Sequence, residues 1–131
     1  LLEWFRTRQR TFDTAIRDDE SDGTAKHLAA IAAGAFASGN DEAKDFFLDY
    51  LLKVPKGVGP FLSSPKFGLR LIQLIRNETN EARLLKAVDM CALAGPRTGF
   101  LPLISIKDSA AEAVREKASA VLSDWAAASA N

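Results

Sequence analysis

The stretch SAAEAVREKASAVLSDWAAA, from Ser109 to Ala128, carries the clearest structural signal in the chain. It opens with a capping box, in which Ser109 and Glu112 can satisfy two backbone N–H groups at a helix N-terminus. Its apolar residues recur at spacings of three and four, which places them on one helix face. These residues are Val114, Ala118, Val121, Leu122 and Trp125. The stretch therefore predicts an amphipathic helix that closes a hydrophobic core with a single tryptophan.

Length and composition are those of one ordinary globular domain. The chain has 131 residues, of which 47% are hydrophobic and 26% are charged, and this length is enough to bury a core. Residues 1–131 are therefore interpreted as a single helical protein-interaction domain. Because the sequence starts at Leu1, directly in a helix-like pattern, we expect a monomeric domain of a larger protein.

Charge is balanced overall but unevenly distributed. Lysine plus arginine and aspartate plus glutamate both number 17, so net charge indicates no class of partner, and a dedicated nucleic-acid binder is usually basic. The segment from Lys53 to Arg76 has no acid but five bases, which are Lys53, Lys56, Lys66, Arg70 and Arg76. Two interpretations stay open for this segment: a solvated surface, or a surface that faces an acidic ligand.

Few residues in the chain are suited to catalysis or metal binding. The single cysteine, Cys91, excludes an internal disulfide and favours a nuclear or cytosolic compartment. The single histidine, His27, has no carboxylate at metal-ligand spacing beside it. The glycines at 57–59 lack the Gly-Lys-Ser/Thr of a phosphate-binding loop. We therefore expect no enzymatic activity, no catalytic residue, no metal and no cofactor, and no apolar run approaches the roughly 18 residues of a membrane helix.

Helix signals dominate the rest of the chain. The predicted helices cover 1–17, an alanine-rich segment between a Thr24 cap and Gly39, 41–54 after an Asn40 cap, 65–77 after a Ser64 cap, and 81–94 between Asn80 and Gly95. The segment FLPLISI, from Phe100 to Ile106, is predicted as a short helix because Pro102 is tolerated in a first turn.

The predicted fold class is all-α. The helices and their short connections favour a right-handed helical stack or bundle of about six or seven helices, similar in architecture to armadillo and HEAT proteins. FLPLISI is the only candidate strand, and one strand does not form a sheet. No strict sequence repeat is visible.

A helical stack leaves grooves between its outer helices, and such grooves accept peptide segments. Two bases, Arg97 and Lys107, flank the apolar segment FLPLISI and can supply charge beside such a groove. The candidate peptide-binding residues are Arg97, Phe100, Ile104 and Lys107, with Arg70 and Arg76 as a second possibility. The alternative interpretation is that Phe100, Leu101, Leu103 and Ile104 belong to the core.

Three stretches of the C-terminal half, residues 68–128, resemble the TFIIS N-terminal domain (LW domain) family of transcription elongation regulators. They are GLRLIQLIRNETN, ARLLKAVDMCALAGP and FLPLISIKDSAAEAVREKASAVLSDWAA. The last contains the closing pattern of Ala118, Val121, Leu122 and Trp125. The resemblance implies a nuclear, non-enzymatic scaffold in transcription elongation or termination. It also implies that the partners are disordered peptide motifs of transcription-related proteins, with a hydrophobic anchor and acidic neighbours.

Two registers of this resemblance are possible. In the first, the segment between Gly95 and Phe100 leaves little room for the turn and small helix usual in the family. In the second, residues 51–77 resemble that turn, the small helix and a glycine-containing helix. The first register is favoured because it explains Trp125, and both can be explained only by weak internal repetition in the chain. Two other functions stay open: an armadillo/HEAT-type fragment that packs on its parent protein, and a basic surface that contacts nucleic acid.

Overall fold

The computed structural model describes residues 2–17, 22–53, 65–106 and 111–129. These residues form seven α-helices and no strand. The helices are α1 (Leu2–Arg17), α2 (Asp22–Ala37), α3 (Asp41–Lys53), α4 (Pro65–Asn77), α5 (Glu81–Ala94), α6 (Pro96–Ile106) and α7 (Glu112–Ser129). The predicted all-α fold class is confirmed for this part of the chain.

Short polar side chains and one glycine define several helix ends, as the sequence predicts. Asn40 and Asn80 cap α3 and α5, and each side-chain oxygen accepts a hydrogen bond at 3.0 Å from the N–H three residues on. Gly95 ends α5 with a φ of 91°, in the left-handed region that favours glycine. Its N–H donates to the Cys91 carbonyl oxygen at 3.1 Å.

Two helix starts differ from the prediction. α2 begins at Asp22, so Thr24 lies in the first turn and is not the cap; the first N–H groups of a helix need no helical acceptor, which makes this extension inexpensive. α6 begins at Pro96, four residues earlier than predicted, because proline is well suited to the first helical position. The predicted caps Ser64 and Ser109 lie outside the described residues.

The helices form a two-layer stack. In the first layer, α2 packs against α4 and α4 against α6; in the second layer, α3 packs against α5 and α5 against α7. The layers meet through α2 with α3, α4 with α5, and α5 and α7 with α6. α1 packs against α2, and the Phe5 ring contacts Phe47 of α3. The predicted helical stack is thus present, with the core between its layers.

Both layers repeat a common unit. α4 and α6 each begin with proline and carry glycine at the fourth position, Gly68 and Gly99. The order of buried, half-buried and exposed residues over 41–50 recurs unchanged over 81–90. The structure therefore contains an internal repetition of helix units that the sequence does not show as a strict repeat.

Trp125 closes the stack at Gly99. A Cβ at Gly99 would lie 2.4 Å from the Cys91 carbonyl oxygen and 3.0 Å from Cη2 of Trp125, so only a hydrogen fits there. Val114 and Ala118 are fully buried, and Trp125 is partly buried against the core. The predicted apolar face of the last helix is confirmed.

Gly68 brings α4 close to α6. A Cβ at Gly68 would lie 3.1 Å from the carbonyl oxygen of Thr98. The residue four positions after Thr98 is Pro102, which has no N–H to donate to that oxygen. Glycine on one helix and proline on the next therefore allow the two backbones to approach, and they align α4 with α6.

A buried ion cluster joins α3 to α5. Arg83 is 7% exposed and donates to both carboxylate oxygens of Asp45, at 2.7 and 3.0 Å, and to Oε2 of Glu78 at 2.8 Å. The hydrogen bond from Arg83 holds the pKa of Asp45 below its ordinary value. Burial by itself would raise the pKa of Glu78, but hydrogen bonds from the Asn80 N–H and from Arg83 outweigh it and lower that pKa.

Exposed ion pairs repeat along the second layer as well. Lys86 pairs with Asp49 at 3.0 Å, and Lys117 pairs with Asp89 at 2.7 Å, linking α3 to α5 and α5 to α7. Pairs as exposed as these contribute at most about 1 kcal/mol each. Their repetition favours the alignment of successive helices.

We expect Gly99→Ala to lower the free energy of unfolding by about 1–3 kcal/mol, the range typical of overpacking, because the new methyl group would meet the Cys91 carbonyl. Gly34→Ala is the matched control, since a Cβ at Gly34 would have nothing within 4 Å. The control should raise stability by up to about 1 kcal/mol through helix propensity. Urea denaturation measures both effects, and a Gly99→Ala protein as stable as the parent would contradict the close packing.

We expect Arg83→Met to lower the free energy of unfolding at neutral pH by about 3–5 kcal/mol, because it leaves the Glu78 carboxylate buried without its main partner. In the parent, Asp45 and Glu78 have lowered pKa values. Their contribution is therefore complete above the ordinary values of 3.8 and 4.5 and is lost as pH falls through the folded values. In the variant, Glu78 keeps the hydrogen bonds from the Thr79 and Asn80 N–H groups but loses Arg83, so stability should fall less steeply than in the parent as pH falls through this range.

Denaturant unfolding from about pH 3 to pH 7 compares the two profiles. Lys86→Met is the control, because its ion pair is exposed and its loss should cost no more than about 1 kcal/mol. If Arg83→Met keeps the parent profile, the ion cluster does not act as described.

Candidate docking surface on α4 and α6

The side of α6 that faces away from the core carries large apolar residues. Phe100 is 48% exposed and Leu101 is 64% exposed, whereas Leu103 is fully buried. Ile104 is half-buried. Of the residues that the sequence left open between core and surface, Leu103 therefore belongs to the core, and Phe100 and Leu101 belong to the surface.

Arg97 lies on the same outward side of α6. Phe100 and Leu101 lie three and four residues after Arg97, and Ile104 lies four and three residues after them, so these side chains are neighbours on the helix surface. The opposite side of α6 is buried, through Thr98, Gly99, Pro102, Leu103 and Ile106. The packing of that buried side holds the outward residues in place.

The outward side of α4 repeats this arrangement. Leu69 is 62% exposed, and Lys66 and Arg76 are exposed as well. By position in the helix, Lys66 corresponds to Arg97, and Leu69 corresponds to Phe100. Because α4 and α6 are aligned side by side, the base and the apolar residue recur next to each other on adjacent helices. We call Lys66, Leu69, Arg76, Arg97, Phe100, Leu101 and Ile104 the α4–α6 surface.

The α4–α6 surface is positively charged. The sequences of α4 and α6 contain four bases and no acid: Lys66, Arg70, Arg76 and Arg97. Within the described parts of the chain, none of these bases forms an ion pair. Charge and exposed apolar area therefore coincide on one surface.

The predicted site residues are only partly brought together. Arg97, Phe100 and Ile104 share one side of α6, and Arg76 lies on the neighbouring α4. Lys107 lies outside the described residues. Arg70 faces away from α6: it is half-buried, its Nη1 donates to Oε1 of Gln73 at 3.0 Å, and it lines a cleft against α2.

Three members of the surface were not predicted as peptide-binding residues: Lys66, which was noted only as part of the basic segment, and the two leucines Leu69 and Leu101. Leu69 lies three residues after Lys66, and Leu101 lies four residues after Arg97, so both share a helix side with a base. This spacing is the signal that identifies them. Of the other bases in the predicted basic segment, Lys53 is exposed on α3 in the other layer, and Lys56 lies outside the described residues.

His27 and Cys91 lie in different surroundings. His27 is exposed, and its ring centre lies 6.2 Å from that of Trp4 and 5.8 Å from that of Phe12. Cys91 is fully buried, and burial raises the pKa of its thiol to about 12, so the reactive thiolate is not populated at neutral pH.

Two further searches concern the part of the chain that the structure describes. Within it, no group of three or more His, Cys, Asp or Glu side chains is placed to hold a metal ion. None of its helices combines the length and the apolar composition that a bilayer crossing requires.

Comparisons with protein-family models, with curated proteins and with solved structures found no match. The functional interpretation therefore depends on the residues and the geometry described above. The resemblance to the TFIIS N-terminal domain stays a prediction.

We expect truncation of exposed and buried leucines of α6 to change the free energy of unfolding by different amounts. Leu101→Ala should change the free energy of unfolding by less than about 0.5 kcal/mol, as is usual for surface positions. Leu103→Ala, the matched change at a fully buried position, should lower it by about 2–5 kcal/mol. Denaturant unfolding of the two variants tests the assignment, and a large loss with Leu101→Ala would place that residue in the core.

Proposed function

We propose that this protein is a non-enzymatic interaction scaffold whose α4–α6 surface docks a short disordered segment of a partner protein. The segment combines an aromatic or aliphatic anchor with acidic neighbours. One observation carries the proposal: exposed apolar side chains lie beside bases on two adjacent helices that contain no acid, and within the described residues these bases form no ion pair.

The two kinds of residue have separate roles in such a site. Phe100, Leu101 and Leu69 leave apolar area in water, and covering that area provides most of the affinity. Arg97, Lys66 and Arg76 surround the apolar residues and select an acidic partner, mainly by speeding its approach and by disfavouring basic segments. An extended segment can lie across the two aligned helices and cover these apolar residues.

The outer face of α7, at one end of the stack, is polar and therefore not suited to packing against another helical unit. In α7, Arg115, Glu116 and Ser119 occupy the positions that Leu84, Leu85 and Val88 occupy in α5. A polar outer face of this kind is typical of the capping unit of a helical stack. Among the described residues, three of the five exposed large apolar side chains, Leu69, Phe100 and Leu101, lie on the α4–α6 side of the stack, where a separate ligand has access; the other two are Trp4 of α1 and Leu93 of α5.

The resemblance to the TFIIS N-terminal domain supplies the biological setting of the proposal. Within that family, the resemblance is to the domain of the protein phosphatase 1 nuclear-targeting subunit. It assigns the docked segments to regulators of transcription elongation or termination, and it assigns the protein to the nucleus. Acid-flanked hydrophobic segments of such regulators suit a surface of bases and apolar side chains.

A peptide-display selection tests the chemistry of the partner. Random peptides are selected on the immobilised full chain, and the enriched sequences are compared with the unselected library. We expect a consensus with one aromatic or large aliphatic residue flanked by Asp or Glu. Enrichment of basic peptides, or of apolar peptides without acids, would contradict the proposed partner class.

We expect Arg97→Glu to weaken a selected peptide on the order of tenfold, because the reversed charge repels the acidic flank. Leu101→Ser should weaken it by a similar factor through lost apolar contact. Arg115→Glu is the matched control, since Arg115 is exposed on α7, away from the surface, and affinity should stay within about twofold. Fluorescence polarisation measures affinity, and circular dichroism verifies folding.

A nucleic-acid ligand is tested in the same assay. Single-stranded DNA is titrated at low salt and again at physiological salt. Binding that falls steeply with salt, together with no enrichment of peptides, would indicate a nucleic-acid contact surface instead.

A further inference from the structure

A polar cleft lies where α2, α3 and α4 meet. It has a volume of about 240 Å³ and is lined by Phe36, Ala37, Ser38, Lys44, Arg70, Gln73 and Asn77. No residue of α6 contributes to its lining, so the cleft is separate from the α4–α6 surface. Its volume gives room for a small anionic group together with several water molecules.

Lys44 lines the cleft from α3 on a largely buried side chain. The side chain is 10% exposed, and in the repeated burial pattern it takes the position of Leu84. Within the described ranges, its only ion-pair partner is Oδ1 of Asp41, which lies 3.7 Å from Nζ on a side chain that is 68% exposed. A stem held in this way presents its ammonium group to the cleft, where an anion from outside the fold can pair with it.

Arg70 supplies a second positive charge from another helix. Its Nη1 donates to Oε1 of Gln73 at 3.0 Å, which orients the guanidinium. Nδ2 of Asn77 donates to the Gln73 backbone carbonyl oxygen at 3.1 Å, and this hydrogen bond holds the Asn77 side-chain amide beside the cleft. Ser38 is engaged elsewhere, because its hydroxyl donates to the Ala35 carbonyl at 2.7 Å. The available donors are thus Lys44, the remaining N–H groups of Arg70 and the side-chain amide of Gln73.

Positive charge outweighs negative charge at the cleft. Lys44 comes from α3 and Arg70 from α4, while the lining residues of α2 are uncharged. Asp41 is the acid beside Lys44, and it also lies 3.6 Å from Nη1 of Arg83, so it interacts with both cations. Among the described residues, no carboxylate pairs with Arg70.

We propose that this cleft binds a phosphate group, as the free anion or at the end of a phosphorylated side chain. A phosphate monoester carries a charge of about −1.5 to −2 at pH 7, which matches two cations better than the single charge of a carboxylate. A guanidinium fork and an ammonium group are both typical of phosphate recognition. The Gln73 amide adds a neutral donor.

Calorimetric titration of the full chain tests the site, in a phosphate-free buffer with inorganic phosphate and O-phosphoserine as separate probes. We expect Lys44→Met, which keeps the buried stem and removes the charge, to weaken binding about tenfold or more. Arg70→Met should act in the same direction. Lys53→Met is the control, because Lys53 is an exposed base of α3 outside both the cleft and the α4–α6 surface, and it should leave affinity within about twofold.

Melting temperatures provide a second test for Lys44→Met, because a change at a largely buried position must be shown to leave the protein folded. Without phosphate, Lys44→Met should be folded and at least as stable as the parent, since methionine suits a position equivalent to Leu84. With excess phosphate, the melting temperature of the parent should rise further than that of the variant, through ligand binding. An equal rise in both would reflect the general effect of phosphate on protein hydration and would overturn the site.

The two probes distinguish the sources of the phosphate. Tighter binding of O-phosphoserine would identify a phosphorylated side chain, and equal or weaker binding would identify the free anion; both results support the site. If the parent binds neither probe, or if Lys44→Met binds as well as the parent, the proposal is wrong.

Discussion

The close approach of α6 to α5 at Gly99 is the constraint on which the rest of the arrangement depends. Because only a hydrogen fits between this position and the Cys91 carbonyl, α6 is held in one rotational setting. Trp125 packs against the same glycine and stabilises that setting. The setting turns Leu103 inward and leaves Leu101 in water. The apolar side chains proposed to dock a partner are therefore exposed as a result of backbone packing.

Helix ends that depend on local chemistry could be predicted from the sequence. Asn40 and Asn80 are short polar residues that bond to a nearby N–H, and Gly95 adopts a positive φ, so neither feature needs tertiary information. The start of α6 at Pro96 also has a local signal, because proline suits the first helical position, but Gly99 counts against a helix there. A glycine inside a helix lowers its predicted stability. The reason for Gly99 is visible only in the structure, where the Cys91 carbonyl leaves no room for a side chain.

The candidate sites were predictable to different degrees. Arg97, Phe100 and Ile104 could be grouped because helical spacing brings them together in any helical fold. Their exposure could not be predicted, since Phe100 and Leu103 are similar in sequence terms and only packing separates them. Lys44 gave no signal at all, because its equivalence to a buried leucine appears only in the repeated burial pattern of α3 and α5.

The absence of acids from α4 and α6 has a consequence for the whole molecule. Apart from Asp22 at the start of α2, the acids of the described helices lie in α1, α3, α5 and α7. The described helices α3, α5 and α7 contain nine acids and six bases, whereas α4 and α6 contain four bases and no acid, so the described parts of the two layers differ in charge and form an electric dipole. Near an anionic partner such a dipole rotates the molecule until α4 and α6 lead. Encounters therefore start in the productive orientation, most strongly at low ionic strength.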